Sequence, residues 1–402
     1  MPSVPDRVAI IGAGPAGLMA AEILAAAGVS VTLFERMPTA ARKFLMAGRG
    51  GLNLTHSEPL EKFLTRYGTA REFLTPYIEK FTPDDLCAWC KALGQETYVG
   101  SSGRVFPKTM KASPLLRSWL LRLHQSGVVI HYNRTWTGWN GEGLTFDDGQ
   151  PFKADAVLLA LGGASWPKLG SDGGWVGILS SKDVAITPLR PANCGFNVPW
   201  SPIFRAKFAG QPVKPVVLSC GGQNVQGEIM LTEKGIEGGA VYALSSYIRK
   251  EIEAKGKTVV TLDLRPDISL LDLQTRLKKP RGRDSMSNHL RKTGGLSPTA
   301  IGLVNEILHQ RKGADPAVLT KALPLTLTGT TGIERAISSA GGIALDEVTP
   351  DFMLKKMPGI FVAGEMLDWE APTGGYLLQA TFSTAVQAAN GILAFLRADS
   401  RT

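Results

Sequence analysis

The sequence predicts an α/β chain in which a Rossmann-like dinucleotide-binding domain is split by an inserted region of different texture. Three observations carry this. Residues 8–36, VAIIGAGPAGLMAAEILAAAGVSVTLFER, read as strand, glycine turn, helix, strand and terminal acid. Two later apolar strands, over 156–161 and 358–363, also run directly into glycines. Between them, from Pro188, the strand–helix alternation gives way to proline-rich, β-like runs.

The first unit sets the chemistry. Gly12, Gly14 and Gly17 supply GxGxxG spacing directly after the strand over 8–11. The first glycine permits a sharp turn, the second lets backbone approach a pyrophosphate, and the third lets the helix pack on the strand. Pro15 and Ala16 begin that helix, whose free N–H groups and dipole face the phosphates. Gly28 stops it, and the second strand over 29–34 ends at Glu35 and Arg36. A carboxylate at that place accepts from an adenosine ribose and repels the extra phosphate of NADP.

The next stretch, ARKFLMAGRGGLNLTHSE over 41–58, is rich in glycine and cations. It is expected to run extended along the same ligand, with Lys43, Arg49, Gly50, Gly51 and Asn53 as donors or close-approach points. Residues 58–94 read as helices, with a start at Thr82-Pro83-Asp84. Cys87 and Cys90 form CxxC on an amphipathic helix and read as structural thiols. His131 sits in a short apolar strand with no metal-ligand neighbours. After the strand over 156–161, Gly162 and Gly163 let a ligand lie over the strand end, with Trp166 as its cover.

The insert is expected over 189–346, leaving 1–188 and 347–402 as the two parts of the nucleotide-binding domain. Its stretch over 276–292 is strongly basic. A phosphorylated substrate or RNA could meet it, but no aromatic platform is interleaved, and a solvated linker is the plainer reading. His289 and His309 read as surface or packing residues. On the return, PGIFVA over 358–363 is a buried strand, followed by Gly364, Glu365 and Asp368. Asp368 can accept from a ribityl hydroxyl. Gly374 and Gly375 open a long terminal helix over Tyr376 and Leu377, whose first N–H groups can face a flavin and stabilise its reduced, anionic form.

Bulk composition narrows the classes. The 402 residues are 44% hydrophobic, enough for two or three domains with real cores. The formal charge of +9 favours anionic ligands without establishing nucleic-acid binding. Four cysteines are too few for a disulfide scaffold, so a cytoplasmic location is expected. No apolar run of membrane-spanning length is present, and no metal-ligand pattern stands out. The sequence assigns no oligomeric state.

Several motifs together resemble the HI0933-like flavoprotein family, within the flavoproteins built on two dinucleotide-binding domains: RKFLMAGRGGLNLTHSE, GRVFPKTMKAS, LALGGASWPKLGSDGG, SSAGGIALDEV and GIFVAGEMLDWEAPTGGYLLQA. The resemblance spans nearly the whole chain. It implies noncovalent FAD, a split FAD domain of glutathione-reductase type, and an inserted β-barrel-like region with a helical part. Carried over by motif, Gly12, Gly14, Gly17 and Glu35 are ADP-side residues; Lys43, Gly50, Asn53, Gly364, Asp368, Gly375 and Tyr376 are flavin-side. Where the family commonly has a GGGRCN-like ending, this chain has GRGGLN, so no thiol chemistry is expected at Leu52. An FAD-dependent oxidoreductase acting on a small molecule is therefore expected, with NAD(P)H as a transient reductant. An RNA-modifying flavoprotein and a noncatalytic FAD-binding interaction protein are the alternatives. Arg49 and Tyr376 are the catalytic candidates.

Overall fold

The computed structural model describes residues 6–141 and 143–399. They fall into two compact units, one of residues up to 190 and from 338, the other Pro191–Ile337. The second junction lies earlier than the expected 346 because Ser338–Ile343 forms a two-stranded sheet with Ile186–Ala192. Gly341 there sits so close that a Cβ would lie 2.2 Å from the Pro188 carbonyl oxygen.

The first unit is built on a five-stranded parallel sheet in the order Ile360–Val362, Ala156–Leu159, Arg7–Ile11, Ser30–Phe34, Val129–His131. Val8 to Ile11 and Ala156 to Leu159 are buried without alternation, as strands covered on both faces must be. The helix Pro15–Ala26 packs beside the terminal helix Tyr376–Asp399. The chain leaves the central strand towards one edge and later returns to its other side. This puts a topological switch point at the carboxyl ends of Arg7–Ile11 and Ala156–Leu159, where such sheets bind ligands. Ala160 N–H donates to Ile11 O at 2.8 Å and Gly12 N–H to Phe34 O at 2.8 Å, tying the switch point to its neighbours.

Two expectations change locally. The stretch over 41–58 is not extended throughout, because Arg42–Ala47 is a helix, followed by an irregular run over 48–54. RKFLMA holds good helix formers, and Gly48 ends the run. The turn at Thr328–Thr331 predicts a short helix through Ile337, and this is reduced to one 3₁₀ turn, Ile333–Arg335. Residues before it are taken by sheet closure.

The second unit is a six-stranded antiparallel sheet in the order Phe196–Asn197, Gly235–Glu237, Gln223–Leu231, Pro212–Cys220, Thr258–Asp263, Leu323–Leu327. Past its last strand the chain pairs back onto the first: Asn197 N–H donates to Gly329 O at 2.8 Å and Thr331 N–H to Gly195 O at 2.9 Å. The sheet is thereby closed as a barrel around Phe196, Leu218, Ile229, Val260 and Leu325, which removes its open edges. The helices Leu270–Leu277, Met286–Lys292 and Pro298–Gln310 form the helical part. No described helix is long and apolar enough to cross a membrane.

Candidate functional site: a glycine-lined cradle for a dinucleotide

The three fingerprint glycines do different work. At Gly17 a Cβ would lie 2.0 Å from Gly12 O, and at Gly12, with φ +104°, 2.4 Å from Ala160 O. Both are forced by backbone packing. At Gly14 a Cβ would meet no protein atom within 4 Å, and its φ of −80° suits any residue. The room beside Gly14 is therefore open, at the start of a helix whose first N–H groups are unspent. Ala16 faces the far end of the chain: a Cβ on Gly364 would lie 3.0 Å from its own.

Glu35 is buried. Its two oxygens accept from Ala13 N–H and Met37 N–H, each at 2.8 Å. Burial pushes its carboxyl up, against those two bonds and the nearby charges of Arg36 and Arg42. It holds the glycine turn in place, and each oxygen keeps a lone pair for a ribose hydroxyl. Arg36 pairs with Asp172 through one of its five N–H donors.

In the following segment Lys43 Nζ donates to Ser165 Oγ at 2.5 Å and Glu365 at 2.7 Å. Arg49 is exposed and its side chain has no partner among the described residues. Gly50 faces open space, whereas Gly51, with φ +119°, is pressed against Met110. Leu52 is 0% exposed and belongs to the core. Asn53 donates to Thr55 O at 2.8 Å and Val105 O at 3.1 Å. Its Oδ1 is buried with no partner, as are Ser171 Oγ and Arg42 Nε.

The second glycine turn divides likewise. Gly162 has φ +69°, and its carbonyl accepts from the Trp175 indole at 2.8 Å. Gly163 is a packing glycine: a Cβ would lie 2.4 Å from Ser339 Oγ. On the return strand, Gly364 has φ +78°. Glu365 joins Lys43, and the half-buried Asp368 carboxylate has no partner among the described residues. Gly374 and Gly375 take φ +137° and +98°, and a Cβ on Gly375 would lie 2.4 Å from the Thr55 backbone. The first helical bond is Gln379 N–H to Gly375 O at 3.1 Å, so the N–H groups of Tyr376, Leu377 and Leu378 precede it.

Tyr376, a catalytic candidate in the sequence, is held through its hydroxyl. Its hydroxyl donates to Glu58 at 2.6 Å and its ring stacks on His56 at 5.5 Å. Burial, then the Glu58 carboxylate, push its pKa well up. Glu58 accepts twice more from Arg66, at 2.9 and 2.7 Å. Burial alone would raise the Glu58 carboxyl, but the bonds from Arg66 and Tyr376 outweigh it and hold it at about 2. His56 Nδ1 accepts from Glu58 N–H at 3.1 Å, which leaves the proton on Nε2 for Ser102 O at 3.0 Å. Sequence reasoning missed Glu58, His56, Arg66, Ser165 and Ser339. The only trace was the four-residue spacing of Glu58, Lys62 and Arg66, of which Glu58 precedes the helix Leu60–Leu64.

Cys90 is buried and Cys87 half-buried, both as free thiols, and burial pushes both thiols up. Neither is primed as a nucleophile. Among the described residues no group of His, Cys, Asp and Glu could hold a metal ion. His289 packs inside the second unit, its Nε2 3.0 Å from Leu277 O.

The residues fit a dinucleotide with a polyol link. Open room lies at Gly14 and Gly50, unpartnered buried polar atoms at Asn53, Ser171 and Arg42, and a free carboxylate at Asp368. A family model described as "HI0933-like protein Rossmann domain" matches residues 6–391. The chain is 28% identical to the 3-dehydro-bile acid delta(4,6)-reductase of Clostridium scindens, over 94% of this chain and 97% of that one. It is 25% identical to the ribosomal RNA dihydrouridine synthase of Escherichia coli, over 96% and 97%. In fold it is similar to a flavocytochrome c3 fumarate reductase in the open conformation, with TM-score 0.52 at 15% identity, covering 98% of this chain and 79% of that one. It is also similar to the 3-ketosteroid-delta4-(5alpha)-dehydrogenase of Rhodococcus jostii RHA1, with TM-score 0.51 at 16% identity, covering 98% of both.

Proposed function

This chain belongs to the HI0933-like family and is an FAD-dependent oxidoreductase, and from that premise we propose that its substrate carries a carbon–carbon double bond conjugated to a carbonyl. The open cradle running from Gly14 to Asp368 carries the cofactor part. The substrate class is supported by what the two relatives' names share. A 3-oxo steroid with 4,6 unsaturation and a uracil ring both offer an electron-poor double bond beside a carbonyl, and both products gain two hydrogens.

FAD, when bound, would supply the hydride, and solvent the proton that completes the two hydrogens. The protein's part is to hold and orient. Glu35 and Asp368 accept from the ribose and ribityl hydroxyls, and the N–H groups ahead of Gln379 stabilise negative charge. Arg49, the free cation beside open Gly50, is suited to polarise the substrate carbonyl. Tyr376 keeps the helix start in place through Glu58 instead of giving up its proton.

The test is anaerobic. Protein whose flavin has been reduced with dithionite is mixed with a 3-oxo-4-ene steroid acid or with a uridine-containing RNA. Flavin reoxidation with a product two mass units heavier is the expected result. Reduced flavin that no conjugated acceptor reoxidises would remove the reductase reading and favour a noncatalytic FAD protein.

NAD(P)H is proposed as the donor. With one complete fingerprint, already assigned to FAD, it docks transiently. Stopped-flow absorbance should show a reduction rate linear in nicotinamide concentration, and saturation at low concentration would contradict transient docking.

One observation favours RNA over a small acceptor. Arg276, Lys278, Lys279, Arg281 and Arg283 are exposed and carry no acidic partner among the described residues, while Asp284 takes Lys292 at 3.0 Å. Single-stranded RNA held by these five would lose affinity with salt at a log–log slope of roughly −0.7 per phosphate contact. Binding insensitive to neutralising all five would leave the small-molecule substrate.

A further inference from the structure

We propose that Glu365 is a positioning residue that aims the Lys43 ammonium at FAD. This rests on the FAD reading above. A carboxylate in a cradle for a doubly anionic pyrophosphate is adverse unless something offsets it. Here Glu365 Oε1 accepts from Ser339 N–H at 2.9 Å and Oε2 from Lys43 at 2.7 Å. The carboxylate is thus anchored to backbone on one side and holds a cation on the other.

Lys43 lies in the first turn of its short helix, just ahead of the glycine segment. Ser165, 0% exposed, follows the second glycine turn, and Glu365 follows Gly364. Three cofactor-facing segments therefore converge on one ammonium. Of its three N–H donors, two go to Ser165 and Glu365, and the third has no partner among the described residues. A free lysine side chain samples many rotamers, and ordering it carries an entropic cost. Holding it ahead of binding removes that cost, so the donor meets the anion pre-set.

The experiment reads FAD affinity of apoprotein by quenching of flavin fluorescence, beside the melting temperature of each apoprotein. Lys43→Gln is expected to weaken FAD by about tenfold or more, the scale of a charge-assisted bond. Glu365→Gln is expected to weaken it by about tenfold too, although the cradle has become more positive. In the Lys43→Gln background, Glu365→Gln should add less than about twofold, the mark of a residue acting through another. Ser165→Ala, which removes the other holder, should weaken FAD several-fold only while Lys43 is present, and serves if Glu365→Gln fails to fold. Tighter FAD binding by Glu365→Gln would overturn the assignment, because the carboxylate would then be merely repulsive. Equal losses in both backgrounds would overturn it too, marking a structural tie through Ser339. A wild-type chain that takes up no FAD would overturn the cofactor reading itself, and this assignment with it.

Discussion

Gly14→Leu is expected to yield a folded protein without FAD. The backbone there has φ −80°, open to any residue, and an added Cβ meets no protein atom within 4 Å. The side chain would extend into the room where the pyrophosphate approaches the helix start. FAD affinity should fall by at least about a hundredfold, or about 2.8 kcal/mol, with the apoprotein's melting temperature within a degree or two of wild type. Gly17→Ala is the contrast. Its Cβ would lie 2.0 Å from Gly12 O, and neither backbone can yield without moving strand or helix. Overpacking of that kind costs about 3 kcal/mol or more, and the apoprotein itself should melt several degrees lower. Absorbance at flavin wavelengths after purification, with calorimetry of the apo forms, separates the two. Normal FAD content in Gly14→Leu would show that the cradle is not where the turn points.

Glu58→Ala is expected to be the most damaging change outside the glycines. Glu58 is 6% exposed in its side chain and receives Arg66 twice and Tyr376 once. Removing it strands the Tyr376 hydroxyl in a packed ring cluster of His56, Phe63 and Tyr376. Breaking a buried pair costs about 3–5 kcal/mol, but Arg66 is 37% exposed and can turn to water, so about 2–3 kcal/mol is expected. Glu58→Gln keeps an acceptor for Tyr376 and should lose about 1 kcal/mol. The pH dependence has a fixed sign. The folded carboxyl is held at about 2 against an ordinary 4.5, so the unfolded chain binds more protons between those values. The stabilisation is complete above about 4.5 and is lost as pH falls towards 2. Melting curves of wild type and Glu58→Gln should lie apart at neutral pH and converge over that window. A gap that persists unchanged at pH 2 would show that the carboxylate's charge is not what stabilises the cluster.

The nucleotide-binding half of this protein is legible in the sequence without any knowledge of its packing. Strand, glycine turn, helix and acid over 8–36 lie within one continuous stretch, and each glycine's role is local: a sharp turn, a close strand–helix contact, room for a phosphate. The strands ending at Gly162 and Gly364 were legible for the same reason, since an apolar run ending in glycine describes a strand and its end without reference to any partner. The insert was legible only as a change of texture, because a barrel strand's neighbours are set by pairing across the sheet; nothing near Asn197 indicates that Gly329 closes the barrel against it.

Which charges meet was settled by tertiary packing. Lys43 and Glu365 are 322 residues apart, and Glu58 and Tyr376 are 318 apart. The sequence offered Lys43 as a cofactor donor and Tyr376 as a catalytic candidate, in two promising motifs. Folding gave the first a carboxylate and a buried hydroxyl that leave one donor unspent, and gave the second a carboxylate that holds its proton. It also packed Gly163 against Ser339 and placed Leu52 in the core. A residue type states what bonds a side chain can make; which bond it makes depends on what packing brings within about 3 Å, and no local spacing records that.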